Sequence, residues 1–128
     1  MLRVITCNTN GIRAAHRKGF FDWLSNSNAD IVCIQETKAH IEQLTDPAFH
    51  PEGYYCRYND AEKRGYSGTA IFSKVKPIRF IDRLGWDPLD SEGRYIQADF
   101  KKMSIISLYM PSGSSGDAAL QKKYKFMD

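Results

Sequence analysis

No segment of this chain is apolar for long enough to cross a bilayer, which excludes a transmembrane helix. The opening residues lack a signal-peptide pattern: Met1 to Asn8 is strand-like, and Asn and Gly follow at once. Cysteine is scarce. Cys7, Cys33 and Cys56 include no CxxC pair, and an odd number in strand-like contexts argues for reduced, buried thiols in a cytoplasmic protein. His16, His40 and His50 show no zinc spacing. Repeats, linkers and low-complexity tracts are also missing. Charge of one sign does not dominate, since 18 Lys and Arg face 15 Asp and Glu for a net +3. That balance permits a polyanionic partner without demanding one. Basic pairs such as Lys63-Arg64 and Lys101-Lys102 read first as solvated surface.

What remains is one ordinary globular domain, 128 residues long and 42% hydrophobic. Leu2 to Cys7 reads as a first strand, and Thr9-Asn10-Gly11 as a turn. His16 to Asn26 carries Phe20, Phe21, Trp23 and Leu24 on an amphipathic helix face. The run Ile31 to Gln35 reads as a buried strand ending at Glu36. A short helix near Ile41 to Leu44 precedes a turn at Asp46-Pro47. Tyr54 to Tyr58, Thr69 to Ser73, Ile78 to Ile81, Tyr95 to Phe100 and Met103 to Met110 are short strand candidates. Their spacing and the glycines and prolines between them suggest antiparallel meanders. Asp117 is placed to cap a final helix with Leu120, Tyr124 and Met127 on one face, and the sequence stops inside it.

Glu36 is the most informative residue. An acid closing a buried strand is costly unless a cation or hydrogen bonds satisfy it. Beside Lys38, it is well placed to hold a divalent metal over a phosphate. Four further spots put polar groups where a strand meets a loop: Asn8 with Asn10, Gly65-Tyr66-Ser67-Gly68, Glu92-Gly93-Arg94, and Tyr109. Taken singly, each is more readily structural: a shaped turn, a satisfied core tyrosine, a surface ion pair.

Taken in order, they resemble one family. Asn8 with Asn10-Gly11-Ile12-Arg13, then Ile34-Gln35-Glu36-Thr37-Lys38, Gly65-Tyr66-Ser67-Gly68, Glu92-Gly93-Arg94 and Tyr109-Met110-Pro111 look like the exonuclease III family of apurinic/apyrimidinic endonucleases. That family lies within the endonuclease/exonuclease/phosphatase superfamily. The resemblance spans essentially the whole chain. It implies an α/β fold of the α+β type, the N-terminal part of a four-layer α/β/β/α sandwich. It implies Mg2+, with Mn2+ as a possible substitute, and duplex DNA bearing abasic sites or 3′ ends as the partner. Glu36 matches the family's metal ligand, and Asn8 an asparagine that orients the metal shell and phosphate. Asn10 falls where some members carry an aspartate. Tyr109 matches the catalytic tyrosine near the scissile phosphate, expected to donate to a phosphate oxygen if the metal lowers its pKa. Arg13, Lys38, Tyr66, Ser67 and Arg94 match positions that touch the DNA backbone or support the site. Ser112 sits where many abasic endonucleases have asparagine.

The resemblance also implies groups this sequence does not contain, a Gly-Asp-x-Asn motif and a Ser-Asp-His motif from the family's second half. The chain therefore reads as an N-terminal part that supplies mainly one of the two sheets and is inactive alone. Two alternatives stand beside this reading. One is a sister phosphodiesterase or phosphatase acting on a small phosphate ester. The other is a truncated, non-catalytic paralogue that binds DNA or protein.

Overall fold

Every strand anticipated from the sequence is present, within two residues of its expected bounds, in the computed structural model, which describes residues 1–111 together with Gln121, Lys123, Tyr124 and Met127. The order is β1 (Val4–Asn8), α1 (Ile12–Arg17), α2 (Phe20–Asn26), β2 (Ile31–Gln35), β3 (Tyr55–Asn59), β4 (Thr69–Ser73), β5 (Arg79–Ile81), β6 (Tyr95–Asp99) and β7 (Ser104–Leu108). Single 3-10 turns occupy Ile41–Gln43, where a short helix was expected, and Pro47–Phe49, where Asp46 caps the turn by accepting from the Ala48 amide. Gln121, Lys123, Tyr124 and Met127 are helical, with Tyr124 and Met127 exposed. The expected cap Asp117, and Leu120, lie outside the described residues.

The strands form two sheets, not mainly one as expected. The first has order β1-β2-β4-β3. Its β1 and β2 are parallel, joined by the α1 and α2 crossover that parallel pairing requires. Its β4 runs antiparallel to both β2 and β3. The second sheet, β5-β6-β7, is the expected antiparallel meander. Sequence order concealed the split, because β3 and β4 lie in the chain between elements of different sheets.

The layers follow from side-chain alternation. On one face of the first sheet, Val32, Ile34 and Phe72 pack with Ile12, Phe21 and Leu24 of the helices. Phe21 and Tyr58 meet the Phe72 ring edge-on at 6.0 and 5.6 Å. On the other face, Ile31, Cys33 and Ile71 pack with Ile96 and Ala98 of the second sheet. Strands β2 and β4 are thus covered on both sides, which is why they read as unbroken apolar runs.

The expected single helix from His16 to Asn26 is two helices. Gly19 adopts a left-handed conformation (φ 93°) that ends α1 and starts α2, and α1 begins earlier, at Ile12. The effect is to place Ile12 and Arg13 directly against the end of β2.

Candidate active site at the strand ends

The parallel register sets Asn8 opposite Gln35, so Asn8 and Glu36 leave their strands side by side. Glu36 then turns out of the strand with φ 55°, and three other non-glycine residues are also left-handed: Asn10, Lys38 and Ser67. Such conformations cost about 1–3 kcal/mol each and persist only where surroundings impose them. Here all four non-glycine cases among the described residues fall at this corner.

Backbone hydrogen bonds impose them. The Gly11 and Ile12 amides donate to the Glu36 and Thr37 carbonyls at 2.7 and 2.9 Å. The Lys38 amide donates to the Ser67 carbonyl at 2.8 Å. Thr9 Oγ1 donates to the Glu36 carbonyl at 2.9 Å. Gly68 is required on two counts: its φ is +91°, and a Cβ there would lie 2.1 Å from Thr37 Oγ1. Three loops, after β1, after β2 and before β4, are thereby stitched into one surface. The second sheet joins it where Gln35 Nε2 donates to Ser107 Oγ at 3.0 Å and Ser107 Oγ donates to the Ile34 carbonyl at 2.9 Å.

The Glu36 carboxylate is the hub. Its Oε1 accepts from Tyr109 Oη at 2.6 Å and from Asn8 Nδ2 at 3.1 Å. Its Oε2 faces Lys38 Nζ at 3.5 Å. Lys38 Nζ also donates to Asn10 Oδ1 at 2.6 Å, and Asn8 Oδ1 accepts the Asn10 amide at 3.0 Å. Burial pushes the Glu36 carboxyl up, but the hydrogens from Tyr109 and Asn8 and the Lys38 charge outweigh it, so the group stays below its ordinary value. The Tyr109 phenol moves the other way. Burial and the Glu36 carboxylate push it up to about 12, against the Arg94 charge. The protein's own groups thus raise this phenol and keep it as a hydrogen donor to Glu36.

Arg94 donates to Tyr66 Oη at 2.8 Å, to the Tyr109 carbonyl at 3.1 Å and to Glu92 Oε1 at 3.2 Å. Arg13 donates to the Lys38 carbonyl at 3.2 Å. Arg13 and Lys38 line a groove of about 400 Å³ with Gly11, Ala14, Arg17 and Gly65. Asn8, Asn10, Arg13, Glu36, Lys38, Tyr66, Ser67, Arg94 and Tyr109 therefore lie at one corner, while Ser112 lies outside the described residues. Sequence reading overlooked Arg17, which one helical turn places beside Arg13's groove, and Thr9, which carries no motif signal. Lys63, read as solvated surface, has its ammonium 5.1 Å from the centre of the Tyr66 ring.

The oxygen donors suit a hard cation. Glu36 offers one carboxylate, and the Asn8 amide oxygen, which here accepts the Asn10 amide, becomes a second donor once that side chain turns toward the cation, a sparse set of the kind magnesium accepts while keeping several waters. Among the described residues no cluster of three or more His, Cys, Asp or Glu could hold a metal, so such an ion would rest mainly on Glu36.

A mixed α/β fold of two packed sheets, with a corner of acid, amide, phenol and cations, defines a class. Residues 5–124 match the Endonuclease/Exonuclease/phosphatase family, and the chain belongs to it. It is 40% identical over 116 residues to the exodeoxyribonuclease of Bacillus subtilis (strain 168), covering 90% of this chain and 45% of that protein. It is 33% identical over 119 residues to the DNA repair nuclease APEX1 of Danio rerio, covering 90% of this chain and 38% of that one. The AP endonuclease from Archaeoglobus fulgidus superposes with a TM-score of 0.82 at 28% identity, covering 99% of this chain and 48% of that structure. The chain spans less than half the length of these curated relatives.

Proposed function

We propose that this chain carries the phosphate-handling corner of a magnesium-dependent DNA-repair phosphodiesterase of the exonuclease III type. It would cut 5′ to abasic sites and trim 3′ ends of duplex DNA, leaving a 3′-hydroxyl. The observation that carries this reading is the Glu36 carboxylate shared by Asn8, Tyr109 and Lys38. A surface acid would not be so closely bracketed, and the arrangement suits a cation set over a phosphate.

Glu36, with the Asn8 amide oxygen, would hold Mg2+, or Mn2+ in its place, which would supply charge stabilisation at the phosphoryl oxygens. The Tyr109 phenol then donates to a phosphate oxygen instead of to Glu36. Asn10 and Ser67 hold the loops that carry Asn8 and Lys38. Lys38 and Arg13 set fixed positive charge along the backbone path, which Arg17 extends. Tyr66 and Arg94 support the same wall. Activation of the attacking water needs a further base, which we assign to the length of the relatives that this chain does not span. On this reading the chain alone binds duplex DNA and does not cleave it.

The test uses the intact protein with two duplexes, one holding a single abasic site and one ending in a 3′-phosphate. Magnesium-dependent conversion of both to 3′-hydroxyl ends is the expected result, and indifference to both contradicts the proposal. A small phosphate ester as substrate predicts a shallow salt dependence of binding. Duplex DNA predicts a steep one, with a slope of about −0.9 per neutralised phosphate.

A further inference from the structure

Arg94 differs from the other cations of the corner. Lys38 is 39% exposed at its side chain, whereas the Arg94 side chain is 4% exposed and its ion-pair partner Glu92 14%. A guanidinium so enclosed is poorly placed to meet a nucleic-acid phosphate. Each of its three nitrogens already meets protein: Nε reaches Glu92 Oε1, Nη1 the Tyr109 carbonyl and Nη2 the Tyr66 hydroxyl. Its Cζ also lies over the Tyr109 ring, 4.8 Å from the centre, and over that of Tyr66 at 5.7 Å. The contact is reciprocal, because the Tyr109 amide donates to the Arg94 carbonyl at 2.9 Å.

We propose that Arg94 is a positioning residue, a buried clamp that fixes the Tyr109 ring beside Glu36 and ties it to the Tyr66 loop, and does not bind DNA itself. The inference rests on the function proposed above. Three segments converge on this one side chain: the loop before β4, the turn before β6 and the end of β7. Tyr109 is thereby held at its carbonyl and across its ring face, which leaves its hydroxyl aimed at Glu36 Oε1. Only a planar fork can satisfy the three acceptors while stacking on two rings. A lysine retains the charge and loses that geometry.

The test begins with this chain labelled with ring-13C tyrosine and compares Arg94→Lys with the milder Tyr66→Phe, which deletes one hydroxyl and leaves the buried guanidinium in place. Both variants should shift the Tyr109 ring resonances, Arg94→Lys should shift those of Tyr66 as well, and Tyr54, Tyr55 and Tyr58 should stay in place. Unmoved Tyr109 resonances in both variants overturn the proposal. The second arm is the salt slope of duplex binding. The slope of Arg94→Gln should equal that of the unaltered chain, while Arg13→Gln should lower it by about 1. In the intact enzyme, turnover of Arg94→Lys should fall about 10²-fold with KM unchanged. A reduced slope for Arg94→Gln, or a raised KM at unchanged turnover, makes Arg94 a DNA contact and overturns the proposal. If the unaltered chain shows no affinity for duplex DNA, the proposed function fails, and the tyrosine resonances still decide the role of Arg94.

Discussion

The two sheets solve different burial problems. In the first, β4 is buried at every position and β2 at four of five, with helices on one face and the second sheet on the other. In the second, one face packs on the first sheet through Ile96 and Ala98. Its far side carries Ile106 and Leu108, exposed by 48% and 41%. Beside them runs a polar ladder in which Asp99 accepts from Gln97, Ser104 and Arg79. Stability is therefore concentrated in the first sheet. The site sits at the end of that rigid layer, where strained residues can be held in place, with Arg94 and Tyr109 contributed from the ends of the second sheet's strands.

The sharpest way to break this contrast is to excise packing from each sheet. Phe72→Ala removes a fully buried ring that meets Phe21 and Tyr58. It should cost about 3–5 kcal/mol in denaturant unfolding. Ile106→Ala, on the open face of the second sheet, should stay within about 0.5 kcal/mol. Comparable losses at the two positions would end the distinction.

A smaller effect separates the site loops from the helices. Gly68→Ala meets both a left-handed backbone and the Thr37 hydroxyl, and should cost about 2 kcal/mol or more. At Gly19 a Cβ meets nothing within 4 Å, so Gly19→Ala carries only the backbone term, about 1–2 kcal/mol. Thermal unfolding of the two variants ranks them directly.

The smallest effect is electrostatic. Hydrogen bonds from Ser104, Gln97 and Arg79 hold the Asp99 carboxyl down at about 2, below its ordinary 3.8. A depressed carboxyl contributes stability that is fully present above the unfolded value and is lost as pH falls through the folded one. The loss therefore falls between roughly pH 4 and 2. Asp99→Asn should flatten that part of the stability curve and leave neutral pH comparatively unaffected. An unaltered acid limb would show that the second sheet's ladder is not coupled to folding.

Much of this was legible in the sequence because the first sheet's strands are apolar runs with turn signals between them. Glu36 stood out for the same reason, as a charge closing a buried run. The division of the helical segment was hidden, because Phe20, Phe21, Trp23 and Leu24 give a helical pattern whether or not Gly19 breaks it. Pairing of β2 with β4 was also hidden, since it joins segments far apart in the chain and no local pattern encodes it. The left-handed residues at Asn10, Glu36, Lys38 and Ser67 ran against propensity altogether: none is glycine, and only the stitched loops hold them there.

The central claim is that Glu36 anchors a divalent cation at this corner. Titration of the 15N-labelled chain with Mn2+, read as paramagnetic broadening of amide signals, tests it without requiring turnover. The account predicts that Asn8, Glu36 and Tyr109 broaden first, that excess Mg2+ restores them, and that Glu36→Gln abolishes the effect. Broadening centred elsewhere, or unchanged in Glu36→Gln, would contradict it.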